Sequence, residues 1–287
     1  MVQVSSPTGV TGPRTPADLL DAALRADPAR PLLTFYDDAT GERTELSVAT
    51  FANWVAKSAN LLRDDLDAQP GGTLALALPL HWQAAVVLQS AWALGLAVLA
   101  PHPDGTPPPA DITVTSYDAV DAGLVASPGA ELVVLGLGPL GLARADRQPP
   151  PGAALDFDRE VHAHGDRFAP GPAPDPARAA LCTPDGAYTA GDLTGLAGAQ
   201  RAVPAGRRLL VAEPLGTLPA VLGGLLVPLA AGVTAVLCRH LDPSRLHGPR
   251  GRIRQEDVVA SVTSLGPLGA SPPPGSPDLP RWVPDVG

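Results

Sequence analysis

Apolar residues along this chain keep two rhythms. Short apolar runs at residues 32–36, 74–78, 97–100, 111–115, 131–135, 179–183, 209–212 and 234–238 read as strands. Between several of them the spacing changes to threes and fours. Val48, Phe51, Val55, Leu62 and Leu66 recur at helical spacing, with Trp54 and Leu61 widening the face, and Ser47 stands ready to cap that helix. Thr15-Pro16-Ala17-Asp18 predicts an earlier helix running to Ala26, with a hydroxyl cap, proline in the first turn and an acid at the positive end. Residues 37–42 predict a hairpin turn and 43–46 its return strand. Residues 81–96 have almost no polar face, so they predict a helix buried on all sides. Residues 190–202 and 215–231 predict two more helices.

The pattern occurs twice. Gly72-Thr73-Leu74-Ala75-Leu76-Ala77-Leu78-Pro79-Leu80 begins a strand, a proline turn, an apolar helix and a strand, and Arg207-Arg208-Leu209-Leu210-Val211-Ala212-Glu213-Pro214-Leu215 begins the same series, with Pro79 matching Pro214. Ser47 and Thr189 open matching helices upstream. Strands alternating with helices imply an α/β fold: two related halves of mainly parallel sheet flanked by helices. The expected division is a flexible N-terminus (1–14), a first α/β half (15–168), a proline-rich connector (169–178), a second half (179–266) and a proline-rich tail (267–287).

Composition narrows the function. Of 287 residues 45% are hydrophobic, enough for a sizeable core, and the net charge of −9 repels phosphate backbones, so no nucleic-acid partner is expected. The uncharged stretches 68–103 and 214–238 are broken by proline and glycine and read as buried strand–helix units, so no membrane partner is expected either. No apolar or basic leader opens the chain. Cys182 and Cys238 are too few for a disulfide framework, and a cytoplasmic location follows from free thiols. Lys57 is the sole lysine, so any mechanism that needs a catalytic lysine must use it.

Several clusters suggest chemistry. Gly136-Leu137-Gly138-Pro139-Leu140-Gly141 fits the dinucleotide pattern after a strand, but Pro139 and the proline run beyond leave no helix to face a pyrophosphate, so it reads as a loop. His162-Ala163-His164-Gly165-Asp166 resembles a metal cluster, but Arg167 stands where a further histidine would be needed, and no metal is expected. Asp37-Asp38, Asp64-Asp65 and Lys57 read as solvated.

The order of elements resembles the N-terminal domain of the acyl-adenylate-forming (AMP-binding synthetase/ligase) superfamily. There a P-x-x-P-A-L segment, a hairpin, T-Y-x-E-L and a long helix precede G-D-x-V-A-L-x-L-P-N. Here stand Asp27-Pro28-Ala29-Arg30-Pro31-Leu32-Leu33, Arg43-Thr44-Glu45-Leu46-Ser47 and Gly71-Gly72-Thr73-Leu74-Ala75-Leu76-Ala77-Leu78-Pro79-Leu80, with Pro228-Leu229-Ala230-Ala231-Gly232-Val233 resembling a later P-L-x-x-G-A. The resemblance covers about residues 15–262 and is close to an actinobacterial family of undefined function. The superfamily's phosphate loop, T-S-G-T-T-G-x-P-K-G, falls on Leu181-Cys182-Thr183-Pro184-Asp185-Gly186-Ala187-Tyr188, shortened and without lysine. Its aromatic-His turn falls on Glu213-Pro214-Leu215-Gly216-Thr217, with neither residue type. The lysine of its C-terminal lobe has no counterpart after Lys57. The resemblance therefore implies a non-catalytic, vestigial cleft at Thr183, Asp185, Gly186, Glu213 and Thr217. No catalytic residue and no resident cofactor are expected, although ATP or AMP is the cofactor that this ancestry leaves open. An acyl group, a nucleotide or a protein partner is the ligand class left open. The alternative is an acyl-adenylate-forming module completed by a separate chain.

Overall fold

A computed structural model describes residues 12–142, 150, 152–200, 206–246, 251, 252, 256 and 258–262. The expected tail, most of the N-terminal segment, and residues 201 and 202 of the helix expected over 190–202 lie outside the described residues. The order is α1 (Pro16–Ala26), β1 (Pro31–Asp37), β2 (Glu42–Ser47), α2 (Val48–Asp64), β3 (Thr73–Ala77), α3 (Trp82–Leu94), β4 (Ala97–Leu99), β5 (Ile112–Ser116), α4 (Tyr117–Asp121), β6 (Glu131–Leu135), β7 (Leu155–Asp156), α5 (Phe157–Glu160), β8 (Ala179–Thr183), β9 (Gly186–Thr189), α6 (Ala190–Ala199), β10 (Arg208–Val211), α7 (Leu218–Val221), α8 (Val227–Ala231), β11 (Thr234–Arg239) and β12 (Val258–Val262). The first helix starts as its sequence dictates: the Thr15 hydroxyl accepts from the Asp18 N–H while Asp18 accepts from the Thr15 N–H, a reciprocal capping box. Thr189 and Asp192 repeat the device on α6.

The strands form two sheets, β12-β10-β11-β1-β2 and β7-β6-β5-β3-β4-β8-β9. Among the described residues every pairing is parallel except the hairpins β1–β2 and β8–β9. Laid side by side, the orders match strand for strand, β12-β10-β11-β1-β2 with β5-β3-β4-β8-β9. The internal repeat is therefore a structural one, but the hairpins have changed places. The hairpin from the first half completes the sheet of the second, and that from the second completes the sheet of the first. Parallel pairs β1–β11 and β4–β8 are the two joints, with Phe35 opposite Leu237 and Leu99 opposite Cys182.

Side chains lock these joints. Arg30, before β1, donates to the carbonyls of Val233 (2.7 Å) and Pro228 (3.1 Å), and Thr234 donates to Pro31 (2.8 Å). Helix α3 is the common floor, buried on all sides as its composition requires. Its polar side chains serve its neighbours: Gln89 donates to Pro16 of α1 (2.7 Å), Ser90 to Val55 of α2 (3.1 Å) and Trp92 to Ala180 of β8 (2.7 Å). Each donation satisfies a buried group that would otherwise cost about 1–3 kcal/mol.

The second copy of this helix differs by one inserted residue. The repeat interval is 136 between the N-caps His81 and Thr217 and 137 between the left-handed C-cap glycines Gly95 and Gly232. The extra residue is taken up by a π-helical turn, Leu222–Leu226, between α7 and α8. Pro228 follows it and offers no N–H to the Gly224 carbonyl, which favours the wider turn. Gly224 also permits close packing there: a Cβ would lie 2.7 Å from Leu215 Cδ2 and 3.4 Å from Leu237 Cδ2. Gly224→Ala should be nearly neutral, because the end of Leu215 can turn aside. Gly224→Val should destabilise by about 2 kcal/mol, since its second methyl meets the sheet. Urea titration of both variants checks the difference.

Candidate functional site

Ligands of parallel α/β sheets bind outside the carboxyl ends of the strands. Here the ends of β4, β8 and β10 lie together. The Ala100 N–H, just past β4, donates to the Cys182 carbonyl of β8 at 2.8 Å. Gly216, past β10, packs on the same segment, since a Cβ on it would lie 3.5 Å from Pro101 and 3.8 Å from Ala100. The β8–β9 hairpin and the β10–α7 loop thus flank one short wall, Ala100-Pro101. Thr183, Asp185 and Gly186 sit on the first, Glu213 and Thr217 on the second.

Their polar groups are used locally. The Thr183 hydroxyl accepts from the Asp185 N–H (3.2 Å) and donates to the Gly186 carbonyl (3.2 Å), closing a two-residue turn whose tip, Pro184-Asp185, is exposed. Thr217 caps α7 by accepting from the Ala220 N–H at 3.3 Å. A phosphate cradle needs several free backbone N–H groups converging on one point. In this turn Pro184 has no N–H and that of Asp185 is taken.

A second group of charges lies where β1 and β11 end, and it corrects an expectation. Asp37 and Asp38 are not solvated: they are 5% and 9% exposed. Arg252 grips both Asp38 oxygens, at 2.9 Å and 2.5 Å, and stacks over the Tyr36 ring, while the Asp242 N–H adds a further bond at 2.8 Å. Burial pushes the Asp38 carboxyl up, but these donors outweigh it and hold it below the usual carboxylate range. Asp37 accepts from the Ala39 N–H and pairs with His240 at 2.8 Å. Glu256 completes the layer, taking Tyr36 and Arg208. Cys238 beneath them is fully buried and its thiol is pushed up to about 12, first by burial, so it is a poor nucleophile.

A third group surrounds the N-terminus of α3. Asp158, 2% exposed, accepts from the Gly136 N–H at 2.7 Å and from Gln83 Nε2 at 3.2 Å. The glycine-rich loop after β6 therefore meets an internal carboxylate, and Pro139–Gly141 forms a single 3₁₀ turn in place of a helix. Burial raises Asp158 to about 6 against these two donors. His81, the N-cap, accepts from the Gln83 N–H on Nδ1 (3.3 Å) and packs edge-on against Phe35. Burial lowers it to about 3, so it is neutral and its 4.0 Å approach to Glu42 is not an ion pair. His81 Nε2, Trp82 Nε1 and Gln83 Oε1 have no partner among the described residues. Sequence reasoning missed Asp158 because its partners stand 22 and 75 residues away, and its charged neighbours suggested solvent.

The histidine pair is spent on structure. His162 packs edge-on against Trp54, and His164 pairs with Asp65 at 3.0 Å. Lys57, expected in solvent, donates to the His164 carbonyl at 2.7 Å. Among the described residues no group of three or more His, Cys, Asp or Glu side chains is placed to hold a metal ion, and no helix is long and apolar enough to cross a membrane.

No family model matches the chain. A protein of Mycobacterium tuberculosis described as a TIGR03089 family protein is 37% identical over 260 residues, covering 89% of this chain and 99% of that protein. Among solved structures, an acyl-CoA synthetase of Brucella canis superposes with a TM-score of 0.70 at 14% identity, over 86% of this chain and 47% of its own. An anthranilate CoA ligase solved with anthranoyl-AMP gives 0.67 at 14%, over 87% and 49%. A benzoate CoA ligase of Burkholderia xenovorans gives 0.60 at 17%, over 78% and 45%. The chain spans about half the length of these ligases. It has the α/β fold of their N-terminal domains.

Asp158 yields a prediction with a definite sign. Its folded-state pKa of about 6 exceeds the ordinary 3.8, so the folded protein binds the proton more tightly than the unfolded chain. Stability from this group is complete below the ordinary value and is lost as pH rises through 6. Two units correspond to about 3 kcal/mol. Asp158→Asn keeps an acceptor for Gly136 and brings a donor that Gln83 Oε1 can take after an amide flip. It should stabilise the protein at pH 7.5 by about 1–3 kcal/mol and should lose that advantage toward pH 4, as read from denaturation at both values.

Proposed function

The chain belongs to the TIGR03089 family, and we propose that it is a non-catalytic, cytoplasmic relative of the adenylate-forming ligases, a binding module in which the strand-end cleft no longer activates acids with ATP. The observation that carries this reading is the β8–β9 turn. Adenylation requires the triphosphate to be held and its developing charge to be met by fixed donors. Thr183 spends its hydroxyl on the turn itself, Pro184 has no N–H, and the exposed Asp185 carboxylate repels phosphate. The lysine such a site would need is engaged elsewhere, with Lys57 bound to the His164 carbonyl.

The module then acts by binding at Thr183, Asp185, Gly186, Glu213 and Thr217. The ligand classes compatible with its ancestry are an acyl group, an unphosphorylated or singly phosphorylated nucleotide, or a protein partner. An anion with several charges is disfavoured by the exposed Asp185 carboxylate.

The test is pyrophosphate exchange. Purified protein with Mg²⁺, ATP and a panel of aliphatic and aromatic acids should exchange labelled pyrophosphate into ATP no faster than buffer. Acyl-AMP formed by the chain alone would overturn the proposal. Exchange that appears only on adding a second protein would favour the module completed by a separate chain.

A further inference from the structure

Helices α1, α2 and α3 leave a groove on the side of the molecule formed by their packing, and no role assigned above uses it. It encloses about 290 Å³ and is lined by Leu20, Leu24, Val55, Ala93, Phe168 and Pro170 among others. A smaller hollow of about 150 Å³ shares Ala93, Phe168 and Pro170 with it. A strap, residues 164–170, contributes Phe168 and Pro170 to both.

The strap is fixed by a ladder of donors on α2, spaced three residues apart and so on one face. Lys57 donates to His164 (2.7 Å), Asn60 to Gly165 and Arg167 (both 2.9 Å), and Arg63 to Ala169 (3.3 Å), all carbonyls. Arg63 also stacks over the Phe168 ring, its guanidinium carbon 5.2 Å from the centroid. These bonds keep a segment without regular secondary structure over the helices and satisfy its carbonyls.

The charged groups of the groove are both acids, and its neutral polar side chains are the amides Asn53 and Gln89. Asp21 and Asp166, both exposed, supply negative charge to its lining. Gln89 lines it too, fully buried, with Nε2 committed to Pro16 and Oε1 without a partner among the described residues. Two carboxylates and an unfilled acceptor favour a ligand that is cationic and donates hydrogen bonds, and they disfavour an anion. The other lining side chains are mostly apolar. The volume stands at the small end of ligand pockets, about 300–1,000 Å³.

We propose that this groove binds a small primary amine carrying an apolar chain or ring, with the ammonium toward Asp21, Asp166 and Gln89 and the apolar part against Ala93 and Phe168. The site is separate from the strand-end cleft, so its failure would leave the reading of that cleft untouched.

The test titrates the full chain with n-octylamine, n-octanol and octanoate by calorimetry at pH 7. Octylamine should bind at one site, at least tenfold more tightly than octanoate. Ala93→Trp should weaken octylamine at least tenfold by filling the space, and Ala52→Leu serves the same purpose should that variant fail to fold. Asp21→Asn with Asp166→Asn should remove the preference for octylamine over octanol. Absence of octylamine binding up to millimolar concentration overturns the proposal. So does octanoate binding as tightly, or octylamine binding unchanged by either groove-filling variant.

Discussion

The exchanged hairpins are the constraint on which the structure depends. β11 is buried over Thr234–Cys238, and it would present an apolar edge if β1 did not pair with it from some 200 residues upstream. β4, only three residues long, relies on β8 in the same way. Neither half can cover its own sheet, so the halves stabilise each other or not at all. The two joints also position the cleft. Because Ala100 donates to Cys182, the turn at Thr183–Gly186 sits beside Ala100-Pro101, and because the repeat places β10 next to β11, the loop at Glu213–Thr217 meets the same wall. Pairings of such long range carry a large loop-closure cost before they give anything in return, so this topology folds late and cooperatively.

Around that frame the chain satisfies its strand-end groups from within. Asp158 takes the amide of Gly136, the amide that in a dinucleotide fold would be left for a phosphate. Thr183 closes its own turn, Thr217 caps its own helix, and Arg252 joins Asp38 across 214 residues. Breaking a buried pair such as Asp38–Arg252 by removing one partner commonly costs about 3–5 kcal/mol, so that pair is tied to stability. The exceptions stand out for the same reason: the unpartnered atoms of His81, Trp82 and Gln83 gather at one helix start, beside the carboxylate whose proton the fold retains to about pH 6.

Much of this was legible in the chain. Apolar runs located most strands and α3 because those elements are largely buried, the spacing of one apolar face located α2, and the repeat was visible because its strand, proline turn and helix carry the same residue types. β9 escaped notice since Gly186-Ala187-Tyr188-Thr189 is short and half exposed, and β7 since two residues make no pattern. Asp37-Asp38-Ala39-Thr40-Gly41 was a sound turn signal, but a local signal says nothing of an arginine that arrives from the far end of the chain. Lys57 failed for the same reason: its position on α2 is helical and polar, and only the return of the strap at His164 gives its ammonium a partner and leaves it half-buried. The hairpin exchange had no local signature at all, because each hairpin reads the same whichever sheet it joins.

The repeat also explains how a fold of this kind could keep its architecture while its site changes. The β8–β9 pairing is set by register between Ala179 and Thr189, and the parallel joint by Val98 and Leu99 against Leu181 and Cys182. None of these contacts involves Pro184 or Asp185, which project at the tip. A longer loop there would lengthen the closure by a few residues and add only a fraction of a kcal/mol. The scaffold is therefore indifferent to what the turn contains, while phosphate binding depends on it wholly. The same holds for the second helix copy, where an added residue was absorbed by a π turn without displacing the C-cap glycine. Structure in this molecule resides in the paired strands and the buried helix between them. Chemistry resides in turns that those pairings leave free to change, so the proposed loss of adenylation requires no loss of fold.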